Sequence, residues 1–213
     1  MRKTLSSIFI ALFLSFSAQS QENDFQSWHA LTFNKKFNKN TSVALKSAIR
    51  LRENSSLFSK SFFDLKIKKN INKKFSISSG YRHNKISNKK LEISNYNRFY
   101  SDVNYKNKII KRVSYSIRNR CQIQGDMSRY KTIFRQKFSI YYNIRKTKLA
   151  PKIATEYFFS TKEGIKKLRS TLTLAFPISK KIDFDLSYRI QHEFYVNNPE
   201  TLFIFESKLL YNL

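Results

Sequence analysis

The sequence predicts an all-β fold: a single antiparallel, up-and-down transmembrane β-barrel of about 10–12 strands. Three observations carry that expectation. From Thr41 onward, runs of about 9–13 residues alternate in polarity, the period of a strand. The connectors between the runs alternate between short and longer. The first twenty residues have the make-up of an export signal.

The signal comes first in the chain. MRKTLSSIFIALFLSFSAQS has a basic start at Arg2 and Lys3, an apolar run over residues 8–16, and a small-residue end at Ala18, Gln19 and Ser20. That is the pattern of a secretory signal peptide, residues 1–20, cut before Gln21. Residues 21–213 are then the barrel domain. The apolar run is shorter than the roughly 20 residues that a spanning helix needs. No Cys near the cut could carry a lipid anchor. No later stretch is apolar enough for a membrane helix. A β-barrel escapes that test, because only alternate residues of its strands must be apolar.

The strands follow in order. TSVALKSAIRLR sets Val43, Leu45, Ile49 and Leu51 against Lys46, Arg50 and Arg52. SFFDLKIKK sets Phe63, Leu65 and Ile67 against Asp64, Lys66 and Lys68. FSISSGYRH sets Phe75, Ile77 and Tyr81 against Ser76, Ser78, Gly80 and Arg82. NRFYSDVNYK sets Phe99, Val103 and Tyr105 against Arg98, Asp102 and Asn104. RVSYSIRNR puts Arg118 and Arg120 on one parity and Val113, Tyr115 and Ile117 on the other. TIFRQKFSIYY sets Phe134, Phe138, Ile140 and Tyr142 against Arg135, Lys137 and Ser139. LAPKIATEYFF sets Ile153, Tyr157 and Phe159 against Lys152 and Glu156. KKLRSTLTLAF sets Leu168, Leu172, Leu174 and Phe176 against Arg169, Thr171 and Thr173. IDFDLSYRIQ sets Ile182, Phe184, Leu186, Tyr188 and Ile190 against Asp183, Asp185, Ser187, Arg189 and Gln191. LFIFESKLLYNL sets Phe203, Phe205, Leu209, Tyr211 and Leu213 against Glu206 and Lys208.

These ten strands close by themselves, and an eleventh is expected over residues 28–33. Single-chain bacterial barrels use even strand numbers. The Trp28 segment is therefore either an extra or lumenal piece, or it pairs with a further strand near Asn23 to make twelve. NINKK, KNKI, IRKTK and PISKK are short and basic, whereas RENSSLFSKS, NKISNKKLE, QGDMSRYK, STKEGIKK and EFYVNNPE are longer. Short periplasmic turns and longer outer loops are the layout of an outer-membrane barrel. Only three glycines are present, so the turns lean on Asn and Lys.

The formal charge is +27, falling to +25 once Arg2 and Lys3 leave with the signal. Such a balance often means nucleic acid. Export and the even spread of the cations argue against that partner. Outer-membrane lipids, lipopolysaccharide or an anionic solute are the expected anionic neighbours. The one cysteine, Cys121, can form no intrachain disulfide and suggests no thiol metal site.

Which face is inside decides the solvent. A guanidinium facing hydrocarbon at mid-membrane costs about 2–4 kcal/mol, so the cationic parity should face the lumen and the apolar parity the lipid. Aromatics near strand ends, including Phe75, Tyr105, Tyr142, Phe159, Phe176 and Tyr211, fit interfacial girdles. The expected lumenal set is Arg50, Arg82, Arg98, Arg118, Arg120, Arg135, Glu156, Arg169, Asp185, Arg189 and Glu206. Asp64, Asp102 and Asp183 share its parity. Arginine–carboxylate pairing should join these groups into a closed ladder. Cations outnumber acids on this face, so an open path should prefer anions. Leu209, Tyr211 and Leu213, at alternate positions of the last strand, resemble the C-terminal signal read by barrel-assembly machinery, with Leu213 where an aromatic is usual.

An integral barrel of this kind is structural or small and porin-like, not an enzyme, and needs no cofactor or metal. One alternative is an outer-membrane lipid-modifying enzyme, and another is a soluble exported ligand-binding barrel. The enzyme needs a nucleophile and base in hydrogen-bond reach. His83 and His192 share the apolar parity near strand ends, as interfacial residues do. No Gly-x-Ser-x-Gly elbow, metal-spaced His/Cys set or phosphate loop occurs.

Trp28, Arg50, Gly80-Tyr81-Arg82, Asn97-Arg98-Phe99-Tyr100, Arg118-Asn119-Arg120, Glu156-Tyr157-Phe158 and Asn197-Asn198-Pro199-Glu200 occur in this order. The arrangement resembles the outer-membrane barrel family catalogued as domain of unknown function 2490, over nearly the whole mature chain. The resemblance implies a Gram-negative outer-membrane location and implies no activity.

Overall fold

The computed structural model describes residues 23–88, 90–126, 129–160, 164–195 and 199–213. The expected signal peptide, residues 1–20, and Asn197 and Asn198 lie outside them. The described residues form eleven strands: β1 (Asn23–Lys36), β2 (Thr41–Arg52), β3 (Leu57–Asn70), β4 (Phe75–Ser87), β5 (Ile93–Ile110), β6 (Val113–Gly125), β7 (Tyr130–Tyr142), β8 (Ala150–Ser160), β9 (Gly164–Pro177), β10 (Ile182–Glu193) and β11 (Thr201–Asn212). Each pairs antiparallel with the next, and β1 meets β11 to close the barrel.

The closure corrects the expectation of an even strand number. With eleven up-and-down strands the first and last run the same way, so β1 and β11 pair parallel, from Asn23↔Thr201 to Asn34↔Asn212. The Trp28 segment is therefore a full wall strand, neither a lumenal piece nor half of an added hairpin. Its own pattern supports this. Phe25, Leu31 and Phe33 are exposed, while Gln26, Trp28 and Thr32 are buried. An open edge in hydrocarbon would leave a row of backbone groups without partners. A parallel seam satisfies them as a twelfth strand would.

The turns at one end share a chemistry that replaces glycine. In the connector before β2, Asn38 Oδ1 accepts hydrogen bonds from the backbone N–H of Asn40 (2.9 Å) and Thr41 (2.7 Å). Before β4, Asn72 Oδ1 accepts from Lys74 and Phe75, both at 2.8 Å. Before β10, Ser179 Oγ accepts from Lys181 (3.3 Å) and Ile182 (3.1 Å). These are Asx- and Ser-type turns, in which a short side chain stands in for a backbone acceptor.

The expected contrast in connector length is absent. Residues 37–40 join β1 to β2 and residues 53–56 join β2 to β3, four residues each. The ladder continues into the segments expected to be longer loops, so β3 starts at Leu57 and β4 runs on to Ser87. Residues 53–55 turn the chain with φ between 51° and 65° and no glycine.

The two faces of the wall differ in their main chemistry, apolar outside and charged inside. Phe134, Phe138 and Ile140 are exposed on the outside. Tyr115 lies among outward rings, 5.9 Å from Tyr105 and 6.2 Å from Phe138 between centroids. Ile117 pairs with the same two residues, Tyr105 on one side and Phe138 on the other. Arg118 and Arg120 line the interior. A soluble barrel would reverse these faces. Outward rings gather near the end that carries the Asn and Ser turns: Phe75–Tyr105 at 4.8 Å, Phe33–Tyr211 at 6.2 Å and Phe176–Phe184 at 6.5 Å. Strands of 11 to 18 residues, rising about 3.3 Å per residue and tilted, are long enough to cross a hydrocarbon core of about 30 Å.

Candidate functional site

The inward parity of the wall builds two joined cavities. The larger, about 500 Å³, lies toward the loops before β3, β5 and β11, and the smaller, about 300 Å³, toward the Asn and Ser turns. Lys46, Arg82, Arg118, Arg120, Lys137, Arg189 and Glu206 line both. These seven form the waist where the cavities meet, six cations against one carboxylate.

All eleven residues singled out for the lumen face it. Arg50, Arg82, Arg98, Arg118, Arg120, Arg135, Glu156, Arg169, Arg189 and Glu206 line the larger cavity. Asp185 lines the smaller one, where it accepts from Lys208 Nζ at 3.0 Å. Leu209 and Tyr211 instead point outward, Tyr211 with its ring against Phe33. Leu213 closes the seam through its N–H to Asn34 O at 2.8 Å.

Pairing gathers at separate carboxylate nodes rather than in one closed ladder. Glu156 is the most heavily bonded. Its Oε1 accepts from Arg118 Nη2 at 2.5 Å and from Arg135 Nη2 at 2.7 Å, and Arg169 Nη1 lies 3.7 Å from its Oε2. Asp102 takes a bidentate fork from Arg120, at 2.6 and 2.8 Å. Asp64 accepts from Arg82 Nε at 2.6 Å and from the Tyr100 hydroxyl at 2.7 Å. Glu206 pairs with Arg189 and lies 3.9 Å from Lys46 Nζ. The ladder breaks because the lumen holds too few acids for its arginines. Only three acidic side chains share the larger cavity with twelve cations.

Two arginines rest on other partners. Arg50 stacks on Trp28, its guanidinium carbon 3.6 Å from the ring centroid. Arg98 donates to Gln124 Oε1 at 2.9 Å. Inward aromatics serve several arginines in this way. Arg82 lies over Phe62 at 4.0 Å, Arg120 over Tyr100 at 3.8 Å and Arg135 over Phe158 at 4.3 Å. A guanidinium on an aromatic face keeps a favourable contact without a counter-charge.

These aromatics were missed by a reading that sorted charge to one face and apolarity to the other. Their signal is in the sequence. Phe62 shares the parity of Asp64, Tyr100 that of Arg98 and Asp102, and Phe158 that of Glu156. Lys46 and Lys137 of the waist were also outside the chosen set, although both sit on the charged parity.

The histidines face outward. His83 Nδ1 lies 3.0 Å from Asn97 Oδ1, and His192 Nδ1 lies 2.9 Å from Thr201 Oγ1. His29 Nδ1 lies 2.8 Å from Ser207 Oγ across the β1–β11 seam, a pairing that only the parallel closure creates.

The family profile described as "Protein of unknown function (DUF2490)" matches residues 25–201. No curated protein sequence matches the chain. Among solved structures, a KdgM porin superposes with a TM-score of 0.52 at 12% identity, covering 78% of this chain and 89% of its own. A NanC porin gives 0.53 at 11% identity, with 84% and 93% covered. A KdgM porin in complex with disordered oligogalacturonate gives 0.50 at 13% identity, again with 84% and 93% covered.

Proposed function

We propose that this chain, which belongs to the DUF2490 family, is a small porin-like channel of the Gram-negative outer membrane that favours anionic solutes. The observation that carries the reading is the waist, where six cationic side chains face one carboxylate between two joined cavities. A polar path walled by one sign of charge concentrates counter-ions and repels co-ions. One porin of similar fold has been solved with oligogalacturonate, a polyanion. An anionic cargo is carried to this chain at that coarse level.

The surroundings follow from the same geometry. The apolar exterior suits outer-membrane lipid, and lysines in the turns, such as Lys73 and Lys180, suit lipid phosphates. Leu209, Tyr211 and Leu213 are proposed as the segment that barrel-assembly machinery reads.

Among the described residues, two imidazole–hydroxyl contacts, His29–Ser207 and His192–Thr201, favour a lipid-modifying enzyme. Both are a poor fit. No acidic residue shares the outward parity of β1, β2, β10 or β11 to orient the imidazole. The neighbouring backbone N–H groups are committed to strand pairing, which leaves no donor pair for an oxyanion.

Planar-bilayer recording of the purified, folded protein tests the channel. In a potassium chloride gradient the reversal potential should have the sign set by chloride, with chloride several-fold more permeant than potassium. A closed barrel, or a preference for potassium, would sink the reading.

A further inference from the structure

Resting on that reading, we infer that the waist is a saturable binding site for a single tetrahedral oxyanion of the phosphate class, not merely a stretch of positive wall. Three donors there are left over after the wall has satisfied its own carboxylates. Arg118 gives Nη2 to Glu156, but its Nε is buried without a partner. Arg189 pairs with Glu206 through Nη2, and its Nε is likewise buried without a partner. Lys137, between them at the waist, makes no ion pair among the described residues.

A buried N–H without an acceptor is unfavourable by itself and calls for one. Two guanidinium N–H groups and an ammonium are brought in from β6, β10 and β7, two of them neighbouring strands and the third three strands further round the wall. A monocarboxylate offers its two oxygens in one plane. A tetrahedral oxyanion offers acceptors in four directions and carries up to two charges, which suits donors converging from three strands. Glu206, the one carboxylate at the waist, is already engaged by Arg189 and Lys46, so it does not compete for the donors.

The experiment is calorimetric titration of inorganic phosphate into the detergent-folded protein at fixed ionic strength in chloride. One saturable site is expected. Lys137→Gln should weaken it about tenfold, the loss of one charge-assisted hydrogen bond. Arg189→Lys keeps the charge facing Glu206 but removes Nε, and should weaken it by a similar factor. Lys106→Gln removes a charge from outside both cavities and should change it less than twofold. Heat-modifiable gel mobility certifies each variant as folded, and Arg189→Lys stands if Lys137→Gln does not fold. Absence of saturable binding, or equal weakening by Lys106→Gln and the waist variants, would overturn the site. Anion preference in bilayers would survive that outcome, because a diffuse cationic wall suffices for it. Conversely, phosphate binding to a barrel that does not conduct would retain the site and remove the channel.

Discussion

Glu156→Ala should destabilise the folded barrel by about 3–5 kcal/mol, the usual loss when one partner of a buried ion cluster is removed. Glu156 is the acceptor for Arg118 and Arg135 and lies 3.7 Å from Arg169. Its side chain is only 3% exposed. Without it, three guanidiniums and Lys137 share one level of the lumen with no counter-charge among them. The neighbouring aromatic face of Phe158 can support Arg135, at 4.3 Å, and Arg169, at 4.9 Å, but it cannot neutralise them. Glu156→Gln keeps the shape and one acceptor oxygen, so its loss should be smaller. Urea unfolding in detergent, followed by gel mobility, measures both. A change below about 1 kcal/mol for Glu156→Ala would mean that lumenal water screens the cluster as a surface does.

Gly80→Val should cost a similar amount, for a steric reason. A Cβ built at Gly80 would lie 2.4 Å from the Tyr100 Cζ and hydroxyl, and 2.8 Å from the Leu65 carbonyl oxygen. Tyr100 leans across the glycine to donate to Asp64 at 2.7 Å and to lie under Arg120 at 3.8 Å. Any larger residue must push the ring away and break both contacts. Overpacking of about 1–3 kcal/mol adds to the lost hydrogen bond to a charged group, about 1.5–3 kcal/mol. In the double variant Gly80→Val, Tyr100→Ala the ring clash has gone and the approach to the Leu65 carbonyl oxygen remains, so valine should cost less on the Tyr100→Ala background than in the native barrel. Additive losses in the urea midpoints would show that the glycine matters for some other reason.

The sequence revealed the wall better than its closure. Alternation is local: once Arg118 and Arg120 share a parity opposite Tyr115 and Ile117, the strand and its two faces follow without reference to any partner. Strand number is not local. The pattern of residues 23–36 was available to read, but nothing in it says that β1 will meet β11 in parallel. That closure depends on the count of all the strands between them. The His29–Ser207 contact was hidden for the same reason.

In the lumen, parity brought the charged residues to one side but could not choose their partners. Glu156 receives from β6 and β7 and sits near Arg169 of β9, a set fixed by strand stagger and side-chain reach. The sequence also suggests longer outer loops, because a polar stretch has the composition of unpaired chain. A ladder that continues past the membrane face is polar on both parities, and polarity alone does not separate it from a loop.

If oil lies against the apolar row and the guanidinium row faces the axis, a probe on each row meets a different solvent. Cys121, the one cysteine in the chain, is exposed and on the outward parity of β6. Gln124, three residues on, lines the larger cavity. A nitroxide is placed on Cys121, or on Gln124→Cys with Cys121→Ser, in protein reconstituted into lipid bilayers. Its collision rates with oxygen and with a water-soluble nickel chelate are then compared. The Cys121 label should meet oxygen more than nickel, and the Gln124→Cys label nickel more than oxygen. The opposite ranking at the two positions would mean that the charged row faces lipid.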